Sequence, residues 1–290
     1  MTPAATSIRT VAVVGAGTMG HGIAQVAAQA GYAVRLADAV SGAAARAVER
    51  VRANLDGAVQ RGKVTAEDRD AALARITAGD DPVAAARGAD LVIEAVPEDL
   101  DLKRAVLASL EAAAPDAVLA TNTSSLSIAS LAAATARPDR VVGMHFFNPV
   151  HLMKLVEVVT HAGTAAQTRD AAVAAARRMG KEPIVVKDSP GFASSRLGIA
   201  LGLEAMRMVE EGVAAPEDID RAMTLGYNHP MGPLRLTDVV GLDVRLAIAR
   251  YLHRALGDER FAPPAILERL VAEGKLGRKS GQGFYTWSGE

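Results

Sequence analysis

The feature that most restricts what this chain can become is Gly15-Ala16-Gly17-Thr18-Met19-Gly20, taken together with its surroundings. Glycines spaced G-x-G-x-x-G are a weak signal alone, because glycine-rich turns are common. Here the element follows a β-branched run, Ile8 to Val14, that reads as a buried strand. It opens a segment, Met19 to Ala30, that reads as a helix stopped by Gly31. A second apolar strand, Ala33 to Ala37, ends on Asp38, 23 residues beyond Gly15. In that setting the first glycine permits a tight turn and the second lets a pyrophosphate approach the backbone. The third lets helix and strand pack, so that the helix N-terminus faces the phosphates. Gly15, Gly17, Thr18, Met19 and Gly20 are therefore expected to cradle a dinucleotide, and Asp38 to accept from its adenosine ribose hydroxyls. A 2′-phosphate would meet that carboxylate at ~4 Å, repulsive by ~4 kcal/mol at an effective dielectric of about 20. Ala39, Val40 and Ser41 offer no arginine to relieve it. NAD is expected rather than NADP.

Strand and helix signals go on alternating after Asp38. From Ala43 to Gln60, Val48, Val51, Leu55 and Val59 recur at helical spacing with charged residues between them. Thr65 with Asp68 resembles a capping box opening another helix. Strand candidates follow at Leu91 to Ala95, Val118 to Ala120, Val141 to Phe147, Leu155 to Val159 and, after a helix around Ala171 to Met179, Ile184 to Val186. Beyond Lys187 only helices are read: Leu197 to Glu211, Pro216 to Leu225, Asp243 to Leu256 and Pro264 to Glu273. The pattern predicts an α/β fold, with an N-terminal Rossmann, doubly wound and mostly parallel sheet followed by an all-α C-terminal domain. The boundary is placed at Asp188-Ser189-Pro190-Gly191, which gives domains 1–187 and 188–290. At 290 residues the chain can bury two cores and hold a cleft between them.

Composition narrows the chemistry. No cysteine is present, which removes disulfides, thiolate metal sites and cysteine nucleophiles. The 32 basic and 33 acidic side chains nearly cancel, so a polyanion-binding surface is not the main purpose. Met1 to Ser7 has neither the basic nor the long apolar region of a signal peptide, and no apolar run approaches the ~18 residues of a membrane span. A cytoplasmic protein is expected, with no nucleic-acid or membrane partner and no metal.

Two segments should border the ligand cleft beyond the carboxyl ends of the strands: Thr121-Asn122-Thr123-Ser124-Ser125-Leu126 and Gly143-Met144-His145-Phe146-Phe147-Asn148-Pro149. Further on, Met153 to Val159 sets one carboxylate, Glu157, inside an apolar strand, where it needs a partner. A neutral His145 can remove a proton, and Glu157 would hold its ring and stabilise the imidazolium. A lysine partner for Glu157 and a helix-capping role for Ser124 are the plainer alternatives.

These segments resemble the 3-hydroxyacyl-CoA dehydrogenase family over nearly the whole chain. The resemblance runs through Gly15 to Gly20, Glu94-Ala95-Val96-Pro97-Glu98, Asn122 to Leu126, His145 to Pro149, Met153 to Val158 and Asp188 to Phe192. It continues through His229-Pro230-Met231-Gly232-Pro233 and Gly277 to Tyr285. By motif it implies His145 as general base, Glu157 as its partner, Ser124 on the substrate's 3-oxygen and Asn148 beside the nicotinamide. It also implies cofactor contacts from Glu98, Lys103 and Asn122, and a homodimer formed through the helical domain. The implied reaction interconverts 3-hydroxyacyl-CoA and 3-ketoacyl-CoA with NAD.

One position departs from that pattern. In Pro190-Gly191-Phe192-Ala193-Ser194-Ser195-Arg196, Ser195 stands where the family has asparagine. Serine donates and accepts but is shorter and lacks the amide's second donor, which puts the acyl substrate in question more than the reaction. Two other readings remain at this stage: a dehydrogenase of a free hydroxy acid, towards which His151 leans, and a non-catalytic protein on this scaffold.

Overall fold

The computed structural model describes residues 8–287. The reading of Met1 to Ser7 as free of a targeting segment falls outside them. The chain divides into two compact units, Met1–Ser189 and Pro190–Glu290.

In the first unit, β1 (Thr10–Val14), α1 (Thr18–Gln29) and β2 (Ala33–Ala37) lead into α2 (Ala43–Gln60), α3 (Ala66–Ala74), β3 (Ile76–Gly79) and α4 (Pro82–Ala86). Then come β4 (Leu91–Glu94), α5 (Leu100–Ala113), β5 (Val118–Thr121), α6 (Ile128–Ala132), β6 (Val141–Phe146), β7 (Leu155–Thr160), α7 (Ala166–Arg178) and β8 (Glu182–Lys187). The eight strands form one sheet in the order β3-β2-β1-β4-β5-β6-β7-β8. Every neighbouring pair is parallel except β6 and β7, which run antiparallel. The expected doubly wound, mostly parallel sheet is therefore present. The strand order, not the strand direction, reverses between β1 and β4, the crevice where such sheets bind ligands.

With so few aromatic residues, the core is built on small and branched side chains. Ala171, Ala172, Ala175 and Ala176 of α7 and Ala24, Ala27 and Ala28 of α1 are all buried. They lie in one cluster with Val11, Val13, Leu91 and Ile93 of the sheet, and short side chains let the helices lie close to it. Thr65 caps α3 as expected, accepting from the Asp68 amide at 3.0 Å. The sequence pattern missed β3 and α4. β3 is a four-residue edge strand with one large apolar residue, Ile76, too short to alternate. α4 is a five-residue helix whose signal was present, since Asp81 caps it and Pro82 occupies its first turn.

The second unit is helical, as expected: α8 (Ser194–Glu210), α9 (Pro216–Gly226), α10 (Pro233–Val240), α11 (Leu242–Leu256) and α12 (Ala265–Ala272). Ile199, Leu203, Met206, Leu234, Leu252 and Phe261 are among its buried core. α10 is an addition to the expected helices, and Pro233 opens it. The glycine-rich tail folds back on this unit. Asp238, fully buried on α10, accepts from the Phe284 and Tyr285 amides at 2.9 Å each and from the Trp287 indole at 2.8 Å. A Cβ on Gly283 would lie 2.3 Å from the Asp238 carboxylate, so glycine is required for that approach. Asp220 accepts from Tyr285 Oη at 2.8 Å. Burial, and then the neighbouring Asp220, raise the Tyr285 phenol well above its usual pKa.

The turn between β1 and α1 is equally intolerant. Gly15 has φ +99°, and a Cβ on Gly20 would lie 1.7 Å from the Gly15 carbonyl oxygen. Gly20→Ala is expected to lower unfolding stability by about 1–3 kcal/mol through overpacking. Equilibrium denaturation measures this, and an unchanged midpoint would show that the turn yields without strain.

Candidate active site

A cavity of about 820 Å³ opens at the carboxyl ends of the first unit's strands. Its wall includes Gly15, Gly17, Thr18, Met19 and Asp38 at one end and Glu98, Asn122, Ser124 and His145 at the other. Gly20 lies behind the wall, buried under the turn. Gly17 is exposed, and a Cβ built on it meets nothing within 4 Å, so its backbone faces open space. As N-cap of α1 it supplies no side-chain hydrogen bond, which leaves the helix's leading amides to other acceptors. Asp38 accepts from the Ala16 amide at 2.7 Å on one oxygen and the Val40 amide at 2.9 Å on the other. Each oxygen keeps a further lone pair for a ribose hydroxyl. Arg50 donates to the Ala16 carbonyl at 2.6 Å and braces the turn from outside. The residues present fit a dinucleotide.

His145 on β6 and Glu157 on β7 are register partners across the antiparallel pair. His145 Nδ1 lies 2.8 Å from Glu157 Oε2, with the carboxylate fully buried and the histidine 8% exposed. Strands of an antiparallel pair set opposed side chains about 5 Å apart, which this contact uses. A carboxylate at Nδ1 selects the tautomer with its proton there, so that Nε2 is the nitrogen with the basic lone pair. The residue expected to need a partner has therefore found the histidine, not a lysine. The segment between these strands is held from below by Lys181, which donates to the Met153 carbonyl at 2.9 Å. Burial lowers the Lys181 pKa.

Ser124 does not cap a helix. Ser127 caps α6, accepting from the Ser130 amide at 3.2 Å, while Ser124 belongs to a turn gathered on Glu98. One Glu98 oxygen accepts from Thr123 Oγ1 at 2.7 Å, the Ser124 amide at 2.9 Å, Ser124 Oγ at 3.1 Å and the Ser125 amide at 3.2 Å. Burial alone would raise the Glu98 pKa, but the Thr123 hydrogen bond, the Lys103 charge and the Ser124 bonds outweigh it and hold the carboxyl below its usual range. Glu98 therefore adds stability that is complete above the ordinary glutamate range and lost as pH falls through its lowered native value. Asn122 accepts from the Phe146 amide at 2.9 Å, tying the end of β5 to that of β6.

Three further expected site residues are not part of this cavity's wall. Lys103 is fully buried and lies outside the cavity wall, its Nζ 2.7 Å from Glu94 and 3.6 Å from Glu98. Asn148 is exposed, just past β6. Ser195 is half-buried in the first turn of α8 in the second unit, where Ala193 caps the helix without a side-chain hydrogen bond. Sequence reasoning passed over Thr123 and Glu94. Glu94 carried a signal like that of Glu157, a carboxylate within an otherwise apolar strand.

The open space at Gly17 and the crowding at Gly20 separate two kinds of glycine. Gly17→Ala is expected to leave stability within about 0.5 kcal/mol, as for other unconstrained surface changes, yet to weaken NAD binding at least about tenfold by blocking pyrophosphate approach. Calorimetric titration with NAD tests this, and wild-type affinity would remove Gly17 from the cofactor cradle.

Comparison with known proteins agrees with this geometry. Residues 10–189 match the NAD binding domain of 3-hydroxyacyl-CoA dehydrogenase, and residues 191–287 match the C-terminal domain of the same family. The chain is 44% identical over 281 residues to a probable 3-hydroxybutyryl-CoA dehydrogenase of Bacillus subtilis, covering 97% of this chain and 98% of that one. It is 45% identical over 286 residues to 3-hydroxyadipyl-CoA dehydrogenase of Escherichia coli, covering 98% of this chain and 60% of that protein. The crystal structure of (S)-3-hydroxybutyryl-CoA dehydrogenase from Ralstonia eutropha superposes with a TM-score of 0.94 at 43% identity, covering 98% of this chain and all of that one. With both domains matched in order and the histidine–glutamate pair in register, the chain belongs to the 3-hydroxyacyl-CoA dehydrogenase family.

Proposed function

We propose that this enzyme interconverts short 3-hydroxyacyl-CoA and 3-ketoacyl-CoA thioesters, with 3-hydroxybutyryl-CoA and acetoacetyl-CoA as the representative pair and NAD as redox partner. The observation that carries the reading is the buried His145–Glu157 contact at 2.8 Å, with His145 on the wall of the cavity that also holds Asp38. Bound NAD supplies the two-electron acceptor for C3 of the alcohol. His145 Nε2 removes the 3-hydroxyl proton in oxidation and returns it in reduction. Glu157 keeps the ring in its working tautomer and balances the charge that forms on it. The Ser124 hydroxyl donates to the 3-oxygen, where negative charge develops. Asp38, the glycine turn and Asn122 hold the dinucleotide, and Asn148 borders its nicotinamide end.

Ser195 and the second unit complete the substrate site in this reading, with domains 1–187 and 188–290 as functional halves. A homodimer through the helical unit belongs to the same proposal. It is supported by exposed apolar side chains such as Leu197, Leu225 and Val244 on its helices. A cytoplasmic location follows from the NAD and acyl-CoA pools it would draw on; among the described residues no helix is long and apolar enough to cross a membrane. A free hydroxy acid substrate or an inactive scaffold is not favoured, since the relatives at this identity are named as acyl-CoA dehydrogenases and the proton-transfer pair is intact.

Following NADH oxidation, kcat/KM for acetoacetyl-CoA is expected to exceed that for free acetoacetate by on the order of 100-fold or more, because remote binding energy is spent at the reacting carbon. Equal values would point to the free acid. His145→Ala should lower kcat by about 10²–10⁴ with NADH affinity little changed. Retention of more than about a tenth of the activity would require another base.

A further inference from the structure

Behind the cavity wall lies a buried charge network that the reaction as described does not use. Glu94 ends β4, and its register partner Thr121 ends β5. Glu94 Oε1 accepts from Lys103 Nζ at 2.7 Å and from the Val96 amide at 2.7 Å, while Oε2 accepts from Thr121 Oγ1 at 2.6 Å. Glu94 and Lys103 are both 0% exposed. Lys103 also donates to the Val96 carbonyl at 3.1 Å, and Glu98 Oε2 lies 3.6 Å from the same nitrogen.

Stability alone is a weak reason to keep such a pair. Desolvating two charges offsets most of their attraction, and neutral residues of similar volume serve as well or better. What a neutral pair would not supply is a fixed positive charge behind Glu98. We propose that Glu94 is a positioning residue for Ser124, acting through Lys103 and Glu98. Lys103 is held in its place behind Glu98 by Glu94, which lies against it. Its charge in turn keeps Glu98 an anion, and an anion is the acceptor that can gather Thr123, Ser124 and Ser125 onto one oxygen. The Thr123 hydroxyl holds that oxygen at 2.7 Å and the Ser124 hydroxyl at 3.1 Å. The single Ser124 hydroxyl hydrogen can therefore turn to a substrate oxygen while Thr123 and the amides keep the turn in place. Without Glu94, Lys103 is no longer fixed behind Glu98, and the serine turn loses the support of its anchor.

This inference rests on the reading that Ser124 donates to the 3-oxygen, and the experiment separates the two. The variant Glu94→Gln with Lys103→Met removes both charges together and is expected to unfold at close to the parent's denaturant midpoint. Its kcat should fall about tenfold, with KM for acetoacetyl-CoA and for NADH within about twofold, because the hydrogen bond lost matters most in the transition state. Placed on Ser124→Ala, the same double change should lower kcat no further. A folded double variant with parental kcat overturns the proposal, and so does a tenfold loss that persists in the Ser124→Ala background. If Ser124→Ala loses kcat while the double variant does not, only the positioning role fails. If Ser124→Ala keeps kcat, the role of Ser124 falls and this proposal with it. Should the double variant not fold, Glu94→Asp takes its place, since it draws the carboxylate back by one methylene. It should show the same kcat and KM split, and unaltered kcat overturns the proposal.

Discussion

A carboxylate shut away from water is tolerable only beside a donor or a cation, and this sheet carries two such groups on neighbouring parts of one edge. Glu157 is satisfied by His145 and Glu94 by Lys103 and Thr121. The first pairing depends on the single antiparallel step in the sheet. A parallel connection needs a dozen or more residues, usually including a helix. Only residues 147–154 separate β6 from β7, so the chain turns back on itself and sets His145 directly opposite Glu157. Parallel order elsewhere places the glycine turn, Asp38, Glu98 and Asn122 at the same edge. His145 is fixed by strand register and the glycine turn by strand direction, which is why both open on one cavity.

The two carboxylates differ in what they reach. Glu157 touches His145 directly. Glu94 touches a lysine whose far side faces a more exposed carboxylate, and only that second carboxylate meets the serine turn. One end of the site is thus rigid because its partners sit on strands. The other is a turn in which three short polar residues, Thr123, Ser124 and Ser125, gather on one anion.

Much of this was legible in the sequence. The strand, G-x-G-x-x-G turn and acidic strand end define the dinucleotide half through local spacing alone, and Glu157 between valines announced a buried partner. What escaped was set by neighbours rather than by pattern. β3 has too few apolar residues to alternate and exists because β2 offers it an edge. α10 begins at a proline that reads equally well as a stop. Lys103 looked like a cofactor contact by motif, and only the fold shows it turned inward to Glu94. The weight of Ser124 in the turn likewise depends on Glu98, 26 residues away along the chain.

The tail that returns over the second unit has a spectroscopic consequence. The chain has one tryptophan, Trp287, and its indole nitrogen is bonded to the buried Asp238 carboxylate, with Arg235 lying 4.8 Å from its ring centre. The first unit contains no indole at all. Emission excited at the red edge of the absorption band therefore arises from the second unit alone, and from the seating of its tail in particular. The protein carries its own reporter for the detachment of a strap some fifty residues past the helix that holds it.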